Sequence, residues 1–257
     1  MFIFSCLFLA QGLNGEAIII SLDMETKIID DIMHLIVSKS IEHGEKIPSE
    51  NEFAKRYKVP RMTVRNALTK LEERGYIYSK QGKGRYLKEE SMQIQLHLTG
   101  KTSFTDKMKQ AGYKLKTDNI VCEKVAYNEQ IYNSLNIEAE VDVYKVGRIR
   151  YIDGEPIAIH YSFVSEKMFP KILEDGPKIE SMFTYYRELG YKKFISKKSL
   201  LSITFPTSDE QQLLSCKSMV PLIVVESDCI DVASNKVLEH TKILYRSDKF
   251  KYDISMD

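Results

Sequence analysis

Ile47-Pro48-Ser49-Glu50-Asn51-Glu52-Phe53-Ala54 is followed by Val59-Pro60-Arg61-Met62-Thr63-Val64-Arg65-Asn66-Ala67-Leu68. Gly75-Tyr76-Ile77 and Gln81-Gly82-Lys83-Gly84-Arg85-Tyr86-Leu87 come next. Ser49 with Glu52 three residues later is a capping box, so the spacing predicts a helix beginning at Ser49. Phe53, Ala54 and Tyr57 give that helix its apolar face, and Lys58-Val59 breaks it. A second helix is predicted over residues 61–74, with Val64, Leu68 and Leu71 on the buried face. Arg61, Thr63, Arg65 and Asn66 then fall on or near the opposite face, in its first turn.

Gly75 suits a left-handed helix stop. The β-prone runs on either side of Lys80-Gln81-Gly82-Lys83-Gly84 predict a hairpin whose glycines permit positive φ and close backbone approach. Capped helix, short turn, basic helix and glycine-tipped hairpin form a winged helix-turn-helix, which lays its second helix in the DNA major groove. Arginine suits base reading because its fork donates twice to guanine; a threonine hydroxyl on a phosphate positions without specifying. Charge agrees. Over residues 55–88 there are eleven Lys and Arg but only Glu72 and Glu73 on the acidic side, in a chain of net charge +1. A basic stripe on a balanced chain is a nucleic-acid footprint; the plainer reading of a charge run is a solvated face.

These residues resemble the N-terminal domain of the GntR family of bacterial transcription regulators, over residues 24–87. The resemblance is carried by Pro48-Ser49-Glu50-x-Glu52, by Arg61-Met62-Thr63-Val64-Arg65-x-Ala67-Leu68 and by Gly82-x-Gly84. It implies that Arg61 and Arg65 contact DNA, that Thr63 bonds the backbone and that Gly84 approaches the minor groove. Ser49, Asn51, Asn66, Gly82 and Lys83 complete the candidate DNA surface. Three positions depart from the pattern. Asn51 stands where many members carry a base-reading arginine, Pro60 replaces a Ser or Thr cap, and Arg85 replaces the common wing threonine. An operator preference different from the family's is expected, together with a recognition helix lacking a side-chain cap.

At 257 residues the chain has room for this module and one larger domain. The expected division is an extension over residues 1–23 (non-native or disordered, with Met24 as the natural start), the DNA domain over 24–88, a polar linker over 89–92 and a second domain over 93–257. The apolar run over residues 2–10 is too short to span a bilayer and has no basic residue before it. No membrane association is expected. Cys6, Cys122, Cys216 and Cys229 are widely spaced and the five histidines show no ligand spacing. Reduced thiols, no metal, no cofactor and a cytoplasmic location are expected.

Beyond the linker, β-type runs over residues 119–126 and 141–152 are followed by Asp153-Gly154, a hairpin signal, and a returning strand over 156–164. A short helix over 209–214 precedes a second strand pair over 221–232 and 236–246. The class is α+β with a mainly antiparallel sheet. The strings around Ser103-Phe104-Thr105, Arg148-Ile149-Arg150, Asp153-Gly154-Glu155-Pro156 and Glu239-His240-Thr241 resemble the UTRA effector-sensing domain, which has a chorismate-lyase-like fold and marks the HutC subfamily of GntR regulators.

Arg148 and Arg150 alternate onto one sheet face, where two guanidiniums repel unless an anion lies between them. Ser103 and Thr105, at the start of a helix over residues 105–111, offer further donors. By resemblance to phosphosugar sensors, Ser103, Thr105, Arg148, Arg150 and Ser181 belong to the phosphate side and Glu239 and Tyr245 to the sugar end, with Phe104 also among the effector-binding residues. His160 replaces a common glutamate there. Plainer readings place the two arginines on the surface against Asp or Glu, His160 as a packed histidine and Tyr245 in the core. The function expected is a homodimeric repressor of a sugar uptake or catabolic operon, bound to near-palindromic double-stranded operator DNA. A small anionic effector such as a phosphosugar would release it. Alternatives are a carboxylate effector, a lyase-like enzyme bearing a DNA-binding domain, or an architectural DNA-binding protein with no ligand.

Overall fold

The computed structural model describes residues 13–88 and 103–250, with side chains from residue 23. The apolar run over 2–10 and the linker over 89–92 lie outside them. The chain divides into two compact units at Glu90/Ser91.

The first unit holds α1 (Leu13–Val37), α2 (Glu50–Tyr57), α3 (Arg61–Glu73), β1 (Ile77–Lys80) and β2 (Gly84–Leu87). The capping box forms as its residues require: the Ser49 hydroxyl accepts from the Glu52 amide, and the Glu52 carboxylate accepts from the Ser49 amide. Lys58 closes α2 in the left-handed conformation. Pro60 begins α3 with no side-chain hydrogen bond, as its lack of an oxygen dictates. Gly75 sits at φ +78° after α3. Ile28, Ile32, Ile47, Phe53, Val64, Ala67, Leu68, Leu71, Ile77 and Leu87 form one core, to which every element of the unit contributes. α1 supplies Ile28 and Ile32 to that core, while Leu35 stays half-buried outside it.

Thr63 needs correcting. It is 4 % exposed and lies on the inner face, not the open one. Residues 63, 64, 67, 68 and 71 make one stripe at helical spacing, and Thr63 opens it.

The second unit holds α4 (Phe104–Gln110), β3 (Leu115–Lys124), α5 (Glu129–Leu135), β4 (Val143–Ile152), β5 (Glu155–Ser165) and α6 (Ile172–Asp175), followed by a 3₁₀ turn. α7 (Met182–Glu188), β6 (Phe194–Ile195), β7 (Ser199–Thr204), α8 (Ser208–Leu214), β8 (Leu222–Asp231) and β9 (Val237–Arg246) complete it. The strands form a seven-stranded sheet in the order β3-β4-β5-β9-β8-β6, with β7 also on β8. All its pairings are antiparallel. Asp153 and Gly154, at φ 49° and 85°, make the tight turn between β4 and β5. The α+β class is as expected, whereas α5, α7 and β7 were not foreseen. Ile149, Ile159 and Leu244 pack with Leu214 of α8 on one face of the sheet. On the other, Tyr144, Val146 and Cys229 pack with Met182 and Tyr186 of α7.

Candidate functional site

Two surfaces carry the candidate residues, one in each unit. In the first, Ser49 is consumed by the cap of α2, and Asn51 is exposed on its first turn. Arg61, Arg65 and Asn66 are exposed on α3. Gly82 and Gly84 take φ +68° and +107° at the hairpin tip beside exposed Lys83, which a side chain at either glycine would strain. Lys46 lies across Gly84, its Cε 2.9 Å from where a Cβ would stand.

Glu50 joins these parts. Its carboxylate accepts from Arg61 at 3.2 Å, from Arg65 at 2.9 and 3.0 Å, and from Arg85 of the hairpin at 3.0 Å. Those guanidiniums hold its pKa down to about 2. Arg85 also reaches Glu72 at 3.4 Å. Sequence reading missed Glu50 because its neighbours Ser49 and Glu52 already explain the motif as a cap.

In the second unit, strand alternation builds a cavity of about 140 Å³. β4 contributes Arg148 and Arg150, β5 His160 and Ser162, β9 Glu239, Thr241, Ile243 and Tyr245, and β8 Val225, Ser227 and Cys229. Ser103, Phe104, Thr105 and Lys107 enter from α4 and its cap, and Ser181, Met182 and Phe183 from α7 and its cap. All nine residues singled out for an effector line this one cavity. Ser162 and Thr241 were missed, although each lies two residues from a named one and period-two spacing would have found both.

Both arginines are 3 % exposed, which excludes the surface reading. Arg148 donates to Ser162 Oγ at 2.5 Å. Arg150 donates to Thr117 Oγ1 at 2.5 Å and to the Glu180 carbonyl at 2.7 Å. Neither forms an ion pair within 4.0 Å among the described residues, and each leaves its Nε without a protein acceptor. Burial lowers both pKa values, and Arg148 helps push Arg150 down to about 9. His160 is held well below the usual histidine range by burial and by both arginines, so its ring is neutral. The Phe104 ring stands edge-on to His160 at 4.9 Å and beneath the Arg150 guanidinium at 5.8 Å. Glu239 is raised by burial against the pull of Arg148. Thr105 Oγ1, His160 Nε2 and Glu239 Oε2 make no hydrogen bond within the described protein. Tyr245 is both core and lining: it is 3 % exposed and packs against Phe250. Ser103 and Ser181 cap α4 and α7, which turns both hydroxyl oxygens toward the helix amides. The helix expected over residues 105–111 begins one residue earlier, at Phe104.

The cavity thus gathers two cationic donors, a carboxylate, an imidazole and a phenol in one buried lining, with His160 directly opposite Arg148 across the β4–β5 ladder. Buried charge without a partner is costly, and an oxyanion between two guanidiniums is one arrangement that relieves it.

The model of the gntR family of bacterial regulatory proteins matches residues 25–87, and that of the UTRA domain matches residues 110–251. The chain belongs to the GntR family, in its UTRA-domain branch. It is a transcriptional repressor of that type, and its relatives are DNA-binding regulators rather than enzymes. The HTH-type transcriptional repressor NagR of Bacillus subtilis is 24 % identical over 231 residues, covering 90 % of this chain and 93 % of the relative. The probable fructoselysine utilization operon transcriptional repressor of Shigella flexneri is 25 % identical over 228 residues, covering 89 % and 90 %. The crystal structure of PhnF from Mycobacterium smegmatis shares the fold, with a TM-score of 0.58 at 19 % identity over 90 % of this chain and 99 % of that one. No helix among the described residues is long and apolar enough to cross a membrane.

Proposed function

We propose that this GntR repressor controls a sugar uptake or catabolic operon and is released from its operator by a phosphosugar bound in the second unit. The observation that carries the reading is the pair of buried guanidiniums, Arg148 and Arg150, with no carboxylate within 4.0 Å of either among the described residues and an unpartnered Nε on each. A phosphate offers charge and enough acceptors for both forks, with Thr105 close by. Glu239, neutral His160 and Tyr245 in the same lining suit hydroxyl groups, since imidazole and carboxylate accept what a sugar donates. The naming of one relative for fructoselysine utilization agrees with a sugar-derived effector.

The reading places Arg61, Arg65 and Asn66 in the major groove and the tip at Lys83-Gly84 against the backbone. One such module reads few bases, so two copies on a near-palindromic operator are proposed. Supporting a homodimer, the edge strand β7 exposes Leu200, Leu201 and Ile203, with Phe205 just beyond it.

Fluorescence anisotropy on the gene's own upstream DNA, at fixed salt, tests the reading. Release is expected with one phosphosugar and not with its unphosphorylated form. Arg148→Ala should keep DNA affinity and lose the release. Release by a carboxylate instead would overturn the phosphate assignment and leave the anion pocket standing.

A further inference from the structure

Glu50 has no part in capping α2, which Ser49 and Glu52 complete between them. It stands at the first position of that helix, 15 % exposed, and bonds three arginines drawn from two elements. Arg65 grips both of its oxygens: Nε lies 3.0 Å from Oε1 and Nη2 lies 2.9 Å from Oε2. Arg61 adds Nη2 at 3.2 Å on Oε2, and Arg85 adds Nη1 at 3.0 Å on Oε1. Glu72 steadies Arg85 from the far side.

A carboxylate among groups that meet phosphates opposes DNA affinity, since it offsets one of the charges whose counterions binding releases. Its effect on the arginines runs the other way. Each long side chain loses rotamer freedom on binding, and a guanidinium already aimed loses less. One anion holding three forks also fixes the recognition helix and the hairpin in one geometry.

We propose that Glu50 is a positioning and specificity-determining residue, which weakens non-specific attraction to DNA and fixes Arg61, Arg65 and Arg85 for base and backbone contact. The inference rests on the reading of this face as the DNA surface.

The test uses the full chain and two duplexes, one selected by the wild-type protein from a random pool and one a shuffled version of it. Anisotropy is read across a salt series. Glu50→Gln keeps shape and removes charge. Its affinity for the shuffled duplex should rise several-fold, its log–log salt slope should steepen by about one, and discrimination between the duplexes should fall about tenfold, the worth of one good arginine–guanine contact. Glu50→Asp keeps the charge but cannot reach all three arginines. Discrimination should fall with no gain on the shuffled duplex and no change of slope. A folded Glu50→Gln that discriminates within twofold of wild type overturns the proposal. If Glu50→Gln does not fold by circular dichroism, unchanged discrimination by Glu50→Asp overturns it equally. Wild-type binding by both Arg61→Ala and Arg65→Ala would instead bring down the DNA-surface reading, and the proposal with it.

Discussion

Arg148 and His160 stand directly opposite each other in the β4–β5 ladder, both buried, and both project into the same cavity. A neutral imidazole facing a guanidinium leaves an acceptor for a ligand; a protonated one adds a third positive charge to a buried site.

That relationship sets a pH dependence. The folded protein keeps His160 neutral well below the usual range, whereas the unfolded chain takes up the proton below about pH 6.5. The unfolded state therefore binds more protons, and stability falls as pH drops through that value. The slope should approach about 1.4 kcal/mol per pH unit from this group. Thermal melts of the effector-free protein from pH 8 to 5.5 should show it, and His160→Gln should flatten it.

The arginine pair predicts stabilisation by a simple anion. Inorganic phosphate should raise the melting temperature of the wild type and leave the Arg148→Met/Arg150→Met variant unmoved. At a hundredfold excess over Kd the gain is about 2.7 kcal/mol, several degrees for a unit of this size. Equal shifts in both proteins would locate the phosphate elsewhere.

Ser49 shows how far local sequence goes. Ser49→Ala removes the hydroxyl that accepts from Glu52 and should cost the first unit about 1 kcal/mol. Urea denaturation followed by circular dichroism measures it; an unchanged midpoint would mean that water replaces the hydroxyl at no cost.

The edge strand β7 offers a test of assembly. Ile203 is 69 % exposed, so Ile203→Lys should leave the fold intact. If β7 forms the proposed dimer interface, sedimentation at micromolar concentration should change from dimer to monomer. A variant that stays dimeric puts the interface elsewhere.

The contrast between Ser49 and Glu50 marks what the sequence makes legible. The capping box, Gly75 and the Asp153-Gly154 turn act over two to four residues and could be read directly. The alternation that gathers Arg148, Arg150, Glu239 and Tyr245 in one cavity is also local along each strand, and each hairpin is announced by its turn, whereas the pairing of β5 with β9 that joins the two hairpins has no local signal. Glu50 reaches Arg85 across 35 residues, and no periodicity announces such a contact. Thr63 was misplaced for a different reason: its polarity suggested the open face, while its spacing to Ala67 and Leu71 put it inside. α5 and α7 are seven-residue helices whose existence depends on packing against the sheet more than on propensity.

The placement of Arg148 and Arg150 on either side of Ile149 has a consequence for how this sensor tolerates insertions and deletions. Ile149 packs into the cluster under α8 on the opposite face of the sheet. Losing or gaining a single residue in the Asp153-Gly154 turn would slide β4 by one step along β5 and exchange the faces, unless the bulge between Arg150 and Tyr151 took up the change. The guanidiniums would then press into the apolar cluster, and Ile149 would line the cavity. Length changes in that turn are therefore tolerated where they preserve the parity of β4 or where the bulge absorbs them, so connecting chain outside the cavity lining still constrains sensing.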